Sequence, residues 1–177
     1  MLTPMYFVER RVGRLIEARI LALSSTAEAD AYARDIANAV ALAPPGTKPV
    51  LCADHRPVAI YSQPVSDRLA ELFAVMNHRL ECAALLAAPT NATFAMQLGR
   101  IVREANNLSR RVFADAHEAA AFLRGSLDEP ERARLGLFLA GFDGEDAEIS
   151  PPTPRSSRLL RGSNGPASTR LRGLVGG

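Results

Sequence analysis

Three short apolar runs, each followed by turn residues and a segment of helical period, constrain this chain most. They are residues 48–54 (KPVLCAD), 82–88 (CAALLAA) and 110–113 (RRVF). The first two are apolar without alternation, which is how strands covered on both faces read. Between and after the runs, apolar residues recur three and four apart. Tyr32, Ile36, Ala39 and Val40 form one stripe. Val65, Leu69, Leu72, Phe73 and Met76 form a second, and Phe94, Leu98, Ile101, Val102 and Ala105 a third. Ala119, Phe122 and Leu123, then Leu135, Phe138 and Leu139, mark two more helices. Strands alternating with helices of this length predict a parallel sheet covered by helices.

Local signals place the boundaries. Residues 6–13 and 15–23 flank a Gly13-Arg14 turn and predict a β-hairpin. Ser25 with Glu28, and Asp115 with Glu118, have the spacing of capping boxes. Pro44-Pro45-Gly46 ends the first helix, Pro64 suits a first helical turn, and Pro89-Thr90-Asn91 breaks a strand and offers a cap. Asn106-Asn107 closes the third helix, and Asp128-Glu129-Pro130-Glu131 opens the last. The predicted order is β-β-α-β-α-β-α-β-α-α. The fold class is α/β: a central mixed, mostly parallel sheet of about five strands, covered by helices, with the hairpin as an antiparallel edge.

Charge divides the chain at its end. Of 21 basic residues, five arginines lie in 149–177 with no acid, which leaves 16 against 19 acids before them. A body with net charge −3 gives no electrostatic reason for a nucleic-acid surface. Residues 143–148 form an acidic spacer, and the rest of the tail is rich in Ser, Pro, Gly and Arg with few large apolar groups. Such a segment buries too little to offset its ordering entropy, so disorder is expected. The expected domains are 1–142, folded, and 143–177, tail. Within the tail, Arg158-Leu159-Leu160-Arg161 and Arg170-Leu171-Arg172-Gly173-Leu174 echo one another. They read either as paired docking motifs acting by avidity or as a solvated basic tail of biased composition.

The strand end Val50-Leu51-Cys52-Ala53-Asp54-His55-Arg56 resembles the "V-L-x-D-x-R" segment of bacterial SpoIIAA-like, STAS/SEC14-type domains. Residues 110–123 (RRVFADAHEAAAFL) are similar to that family's "R-V-F-x-D-x-x-E-A-x-x-W/F-L" signature, and 131–139 resembles a C-terminal helix of some members. The likeness spans roughly residues 5–140. It implies a non-catalytic signalling or scaffolding domain that binds a protein. In phosphorylatable members a serine follows an Asp-Ser pair at a helix start. Residues 54–66 contain no such pair, and Ser62 and Ser66 are the serines nearest that position. Some relatives bind lipid or another apolar ligand between sheet and helices.

Chemistry is sparse. His55, His78 and His117 fit no metal-ligand spacing, and two cysteines build neither a disulfide framework nor a zinc module. No phosphate loop, dinucleotide fingerprint or nucleophile elbow is present. Neither cofactor nor metal is expected. Cys52 or Ser62 beside Asp54 and His55 offers the parts of a nucleophile and base, against the simpler reading of Asp54 as a loop anchor. The expected partner surface is the loop that leaves the C-terminal end of the strand at 48–54, with Asp54, Arg56, Ile60, Tyr61, Ser62 and Ser66. The tail residues Arg158, Leu159, Leu160, Arg161, Arg170, Leu171, Arg172 and Leu174 add a second contact. Val58, Ile60 and Tyr61 either pack under the loop or stand out as anchors. The function expected is a non-enzymatic regulatory or scaffolding module. The alternatives are a tail-directed cargo or adaptor of a shell or filament, and a small-ligand or lipid-binding domain. Homo-oligomerisation is left open. No apolar run reaches a membrane span and no secretory signal is evident, so a cytoplasmic protein is expected.

Overall fold

The computed structural model describes residues 5–141. The 143–177 tail and its two Arg/Leu clusters lie outside the described residues. Five strands and five helices run in the predicted order: β1 (Tyr6–Val12), β2 (Leu15–Ile20), α1 (Thr26–Ala41), β3 (Val50–Asp54) and α2 (Gln63–Met76), then β4 (Cys82–Leu86), α3 (Ala92–Glu104), β5 (Arg110–Phe113), α4 (Ala116–Arg124) and α5 (Glu129–Leu139). A 3-10 turn, Asn77–Arg79, extends α2. The sheet order is β1-β2-β3-β4-β5, with β1 antiparallel to β2 and the other neighbours parallel. The chain is thus an α/β protein with a mixed, mostly parallel sheet.

That sequential order dictates the layers. Parallel crossovers share one hand, so strands added in one direction put every crossover on one face. The core there joins Ile16, Ala18 and Ile20 of β2 and Leu51 and Ala53 of β3 to Tyr32 and Ile36 of α1, Leu69 and Phe73 of α2, and Phe94 and Leu98 of α3. The other face must be covered by the chain beyond β5. There Leu15, Val50, Cys52, Ala84 and Leu86 meet Ala119 and Leu123 of α4 and Leu135 and Phe138 of α5.

The helix starts carry the caps their sequence signals predict, with the glutamate bond shifted at α1 and only the Asp115 half of the expected box present at α4. The Ser25 hydroxyl accepts from the Glu28 amide at 3.2 Å, but Glu28 reaches back to the Ser24 amide, at 2.6 Å, instead of that of Ser25. Asn91 and Asp115 cap α3 and α4. Asp128 and Glu131 form a reciprocal capping box at α5. Strand β2 stops at Ile20, short of the predicted residue 23, because the Leu21 and Ala22 amides turn to the Met5 carbonyl.

Helix α5 is attached by charge as well as by apolar packing. At its start, the Glu131 carboxylate, 1% exposed, accepts from the Arg14 amide at 2.5 Å while also capping its own helix. The turn beneath needs glycine: Gly13 has φ 52°, and a Cβ there would collide with Glu131 Oε1. In its middle, Arg134 Nε and Nη2 grip both oxygens of Glu17 at 2.6 and 2.5 Å. At its end, Arg19 and Arg56 donate to the Phe138 and Leu139 carbonyls, each at 3.2 Å. Cations at a helix C-terminus satisfy orphan carbonyls and oppose the negative end of the dipole.

The Glu17–Arg134 pair is buried, so removing one partner strands a charge. Glu17→Leu and Arg134→Met should each lower unfolding free energy in urea by about 3–5 kcal/mol. The double variant should recover most of that loss. Additive losses would show that the two side chains do not form the coupled unit described.

Candidate functional site

The expected partner surface sits where β3 ends. Residues in a strand alternate between faces, and this separates the groups that the sequence places side by side. Cys52 and Asp54 face α4 and α5, whereas His55 faces α3, with the sheet between them. Cys52 and Asp54 are therefore not brought together with His55.

Asp54 is 2% exposed and fully engaged. Arg56 Nε and Nη2 hold its two oxygens at 2.8 Å each, the Arg56 amide adds a bond at 3.0 Å, and Arg19 approaches at 3.3 Å. Burial opposes its ionisation, but the hydrogen bonds and charges of Arg56 and the charge of Arg19 outweigh it and hold the carboxyl below its usual range. Its bond to the Arg56 amide is the loop anchor that the simpler reading foresaw. Burial pushes the thiols of Cys52 and Cys82 up and keeps them protonated.

On the other face, His55 is wholly buried. Its Nδ1 lies 2.8 Å from the Tyr61 hydroxyl, and Nε2 has no hydrogen-bond partner. Burial, opposed by Asp54 and aided by Arg110, lowers its pKa to about 4, so the ring is neutral. Its ring stands against Tyr61 and Phe94, whose centroids are 5.3 Å apart. Helix α3 then ties the loop down. The Asn91 side chain donates to the Ala59 carbonyl at 2.8 Å. Gln97 clasps the Tyr61 backbone from both sides, accepting from its amide at 2.9 Å and donating to its carbonyl at 2.8 Å.

These contacts correct much of the predicted surface. Asp54 points inward to hold Arg56 and, through it, α5. Arg56 is half-buried and committed to Asp54 and Leu139. Tyr61 is 3% exposed and packs under the loop with Val58, the outcome the sequence left open for both. Ser66 is fully buried, its hydroxyl accepting from Arg100 at 3.3 Å, so it faces no partner. Ile60 and Ser62 do reach solvent. Ile60 is 57% exposed between exposed Ala59 and buried Tyr61, and Ser62 precedes α2 without a side-chain cap bond. Met96, 75% exposed on α3 next to Gln97, is an outward apolar group that sequence reasoning missed. The tail residues Arg158, Leu159, Leu160, Arg161, Arg170, Leu171, Arg172 and Leu174 lie outside the described residues.

The rim also differs in shape from the usual α/β ligand site. Such crevices open where the strand order reverses, and from β2 to β5 this order never reverses. Among the described residues no group of three His, Cys, Asp or Glu is placed to hold a metal, and no helix is long and apolar enough to cross a membrane. Compared with family models, curated proteins and solved structures, the chain matches none.

The buried neutral imidazole sets a pH dependence. An unfolded chain takes up a proton at this histidine below about pH 6.5, whereas the folded chain resists until about pH 4. Its contribution is complete above pH 6.5 and is lost as pH falls toward 4. Stability should drop across that window by up to about 3 kcal/mol. Urea midpoints at half-unit pH steps should show this slope, and His55→Gln should flatten it. An unchanged slope in the variant would assign the effect elsewhere.

Proposed function

We propose that this chain is a non-catalytic regulatory or scaffolding module that docks a protein partner on the rim around Ile60. One observation carries the reading: a loop fixed by internal hydrogen bonds nevertheless turns a large aliphatic side chain outward. Val58 and Tyr61 go in, while Ile60 between them stays out. Holding such a group in water gains nothing for the fold, while the pinned backbone lowers the entropy that docking must overcome. Exposed Met96 on α3, which clasps the same loop, supplies a second apolar group of adaptable shape. The absence of a reversal in strand order favours a broad contact over a small-molecule crevice at this edge. The likeness to STAS-type domains points the same way, and the Arg/Leu clusters at 158–161 and 170–174 are proposed as a second contact that adds avidity.

The test compares tagged full-length protein, Ile60→Asp, and a chain ending at 148, each purified from the source cells. Ile60→Asp should leave thermal stability unchanged and reduce recovery of the partner about 30-fold, the effect of losing a contact worth ~2 kcal/mol. Truncation should weaken the same partner's retention in a salt-dependent way. Equal recovery with Ile60→Asp would refute docking at the rim, and equal recovery after truncation would refute the second contact.

A further inference from the structure

Strand β1 ends the sheet, with no further strand beside it among the described residues, and its 7 residues make it longer than the opposite edge, β5, which has 4. An edge of that length offers its outward N–H and C=O groups to any strand that fits, and proteins guard such edges with charge or a bulge. Here only half of the edge is guarded. The register shifts between Glu9 and Val12, and Glu9, Arg10 and Arg11 fall in that half. Glu9 and Arg11 pair with each other. The half before it, residues 5–8, carries no charge and keeps an unbroken register with β2. In it, Met5 and Phe7 are 39% and 46% exposed. Along β1 exposed side chains alternate with half-buried ones and none is fully buried, so α1 and α5 do not close over the edge.

The direction of the outward groups follows from the pairing with β2. The Leu21 amide donates to the Met5 carbonyl at 2.9 Å, which turns the Met5 backbone toward β2. Backbone groups alternate in direction along an antiparallel strand. Phe7 and Glu9 therefore also bond inward, to their partners Arg19 and Glu17, while the N–H and C=O of Tyr6 and Val8 point out of the sheet edge. This outward pattern is symmetric about Phe7. When a second copy approaches antiparallel and centred there, Tyr6 of each copy exchanges both backbone bonds with Val8 of the other. The two Phe7 rings meet in the close pair between those bonds, on the face toward α5 that Phe7 shares with Arg19. Charge selects this arrangement. A parallel copy would set Glu9 against Glu9 and each arginine against its like, and centring on Glu9 would oppose the two carboxylates. With the centre at Phe7, the two charged halves lie at opposite ends of the seam and Glu9 faces Met5.

We propose that two copies of this chain join through β1, antiparallel and centred on Phe7, so that one sheet runs through both. The contact is the same patch on each copy, as a two-fold axis requires. Main-chain bonds of Tyr6 and Val8 hold the seam, and Phe7 and Met5 supply the apolar surface that leaves water. The bulge and the charges after Val8 limit the pairing to this short stretch and fix its register. The seam uses no residue of the Ile60 rim, so it stands whether or not that rim docks a partner. A dimer carries two such rims, and a partner with repeated epitopes would bind it with avidity.

The test uses the full chain. Sedimentation equilibrium from low to high micromolar concentration should reach twice the mass of one chain. Phe7→Lys, which sets two like charges face to face, should fold and weaken the dimer at least about tenfold. Val8→Pro removes an N–H that points away from β2 and should weaken it similarly; should that variant fail to fold, Phe7→Lys decides. Phe7→Cys would place the two Cα atoms about 4.5 Å apart, within reach of a disulfide. Under a mild oxidant it should form a covalent dimer at least about tenfold faster than Glu9→Cys, whose thiols lie apart along the seam. The natural thiols, Cys52 and Cys82, are buried. Ile60→Asp should dimerise as the unaltered chain does. A single-chain mass at every concentration, a dimer undiminished by Phe7→Lys, cross-linking at residue 9 as fast as at residue 7, or loss of the dimer in Ile60→Asp would each overturn the proposal.

Discussion

The attachment of α5 is the constraint on which the second layer of this protein rests. A sheet wound in one direction covers only one face with its crossovers, and the other face lies bare until the chain returns. Here it returns through α4 and α5, and α5 lies across β1 and β2, where β2 turns Leu15, Glu17 and Arg19 to it in succession. Apolar contact through Leu135 and Phe138 supplies area, while the charges supply register. Glu131 marks the Gly13-Arg14 turn, Arg134 marks Glu17, and the last carbonyls mark Arg19 and Arg56. A slide of one helical turn would leave at least two buried charges unmatched, a cost far greater than the loss of a few methyl contacts.

The same seam explains why a strand-end aspartate and arginine that look like a recognition motif serve the interior. Asp54 is the last residue of its strand, and period two aims it at α5. Arg56 folds back over it and passes the contact on to Leu139. His55, one residue on, is turned to the opposite layer and locked with Tyr61. Three neighbours in sequence thus belong to two separate cores. Ile60 is a part of the loop that neither core claims.

The order of elements was legible because it depends on local signals. The glycine turn, the caps at Asn91 and Asp115 and the stripes on α1, α2 and α3 are each read within a dozen residues. The α5 interface was not legible in the same way. Its buried side carries Glu131 and Arg134 beside Leu135 and Phe138, so its apolar periodicity is blurred by groups that are charged and buried together. Their partners, Arg14 and Glu17, lie more than a hundred residues away, and no local pattern announces such a pair. Sequence reasoning offered a candidate surface on this loop yet misassigned the directions of its side chains, because burial of Tyr61 and Ser66 is decided by Gln97 and Arg100 on another helix. Met96 was overlooked for the converse reason: nothing in a helix sequence tells which apolar residue falls outside the stripe by design.

The two layers solve the problem of buried polarity differently, and the contrast locates the molecule's unfinished business. Beneath α5, acids and arginines are matched among themselves, and the guanidinium edges of Arg56 and Arg134 are filled by Asp54 and Glu17. Beneath α1–α3, aromatic and aliphatic packing dominates, and two of the polar groups buried there, His55 and Arg110, are each incompletely met. For His55 the remedy is to shed charge, since a neutral ring in an apolar core costs only one lost hydrogen bond. Arginine has no such escape at neutral pH, because its proton is held too tightly. An unmatched arginine in an otherwise apolar layer therefore keeps a charge that the histidine sheds, and the physical asymmetry between the two side chains makes Arg110 the costlier of the two to bury.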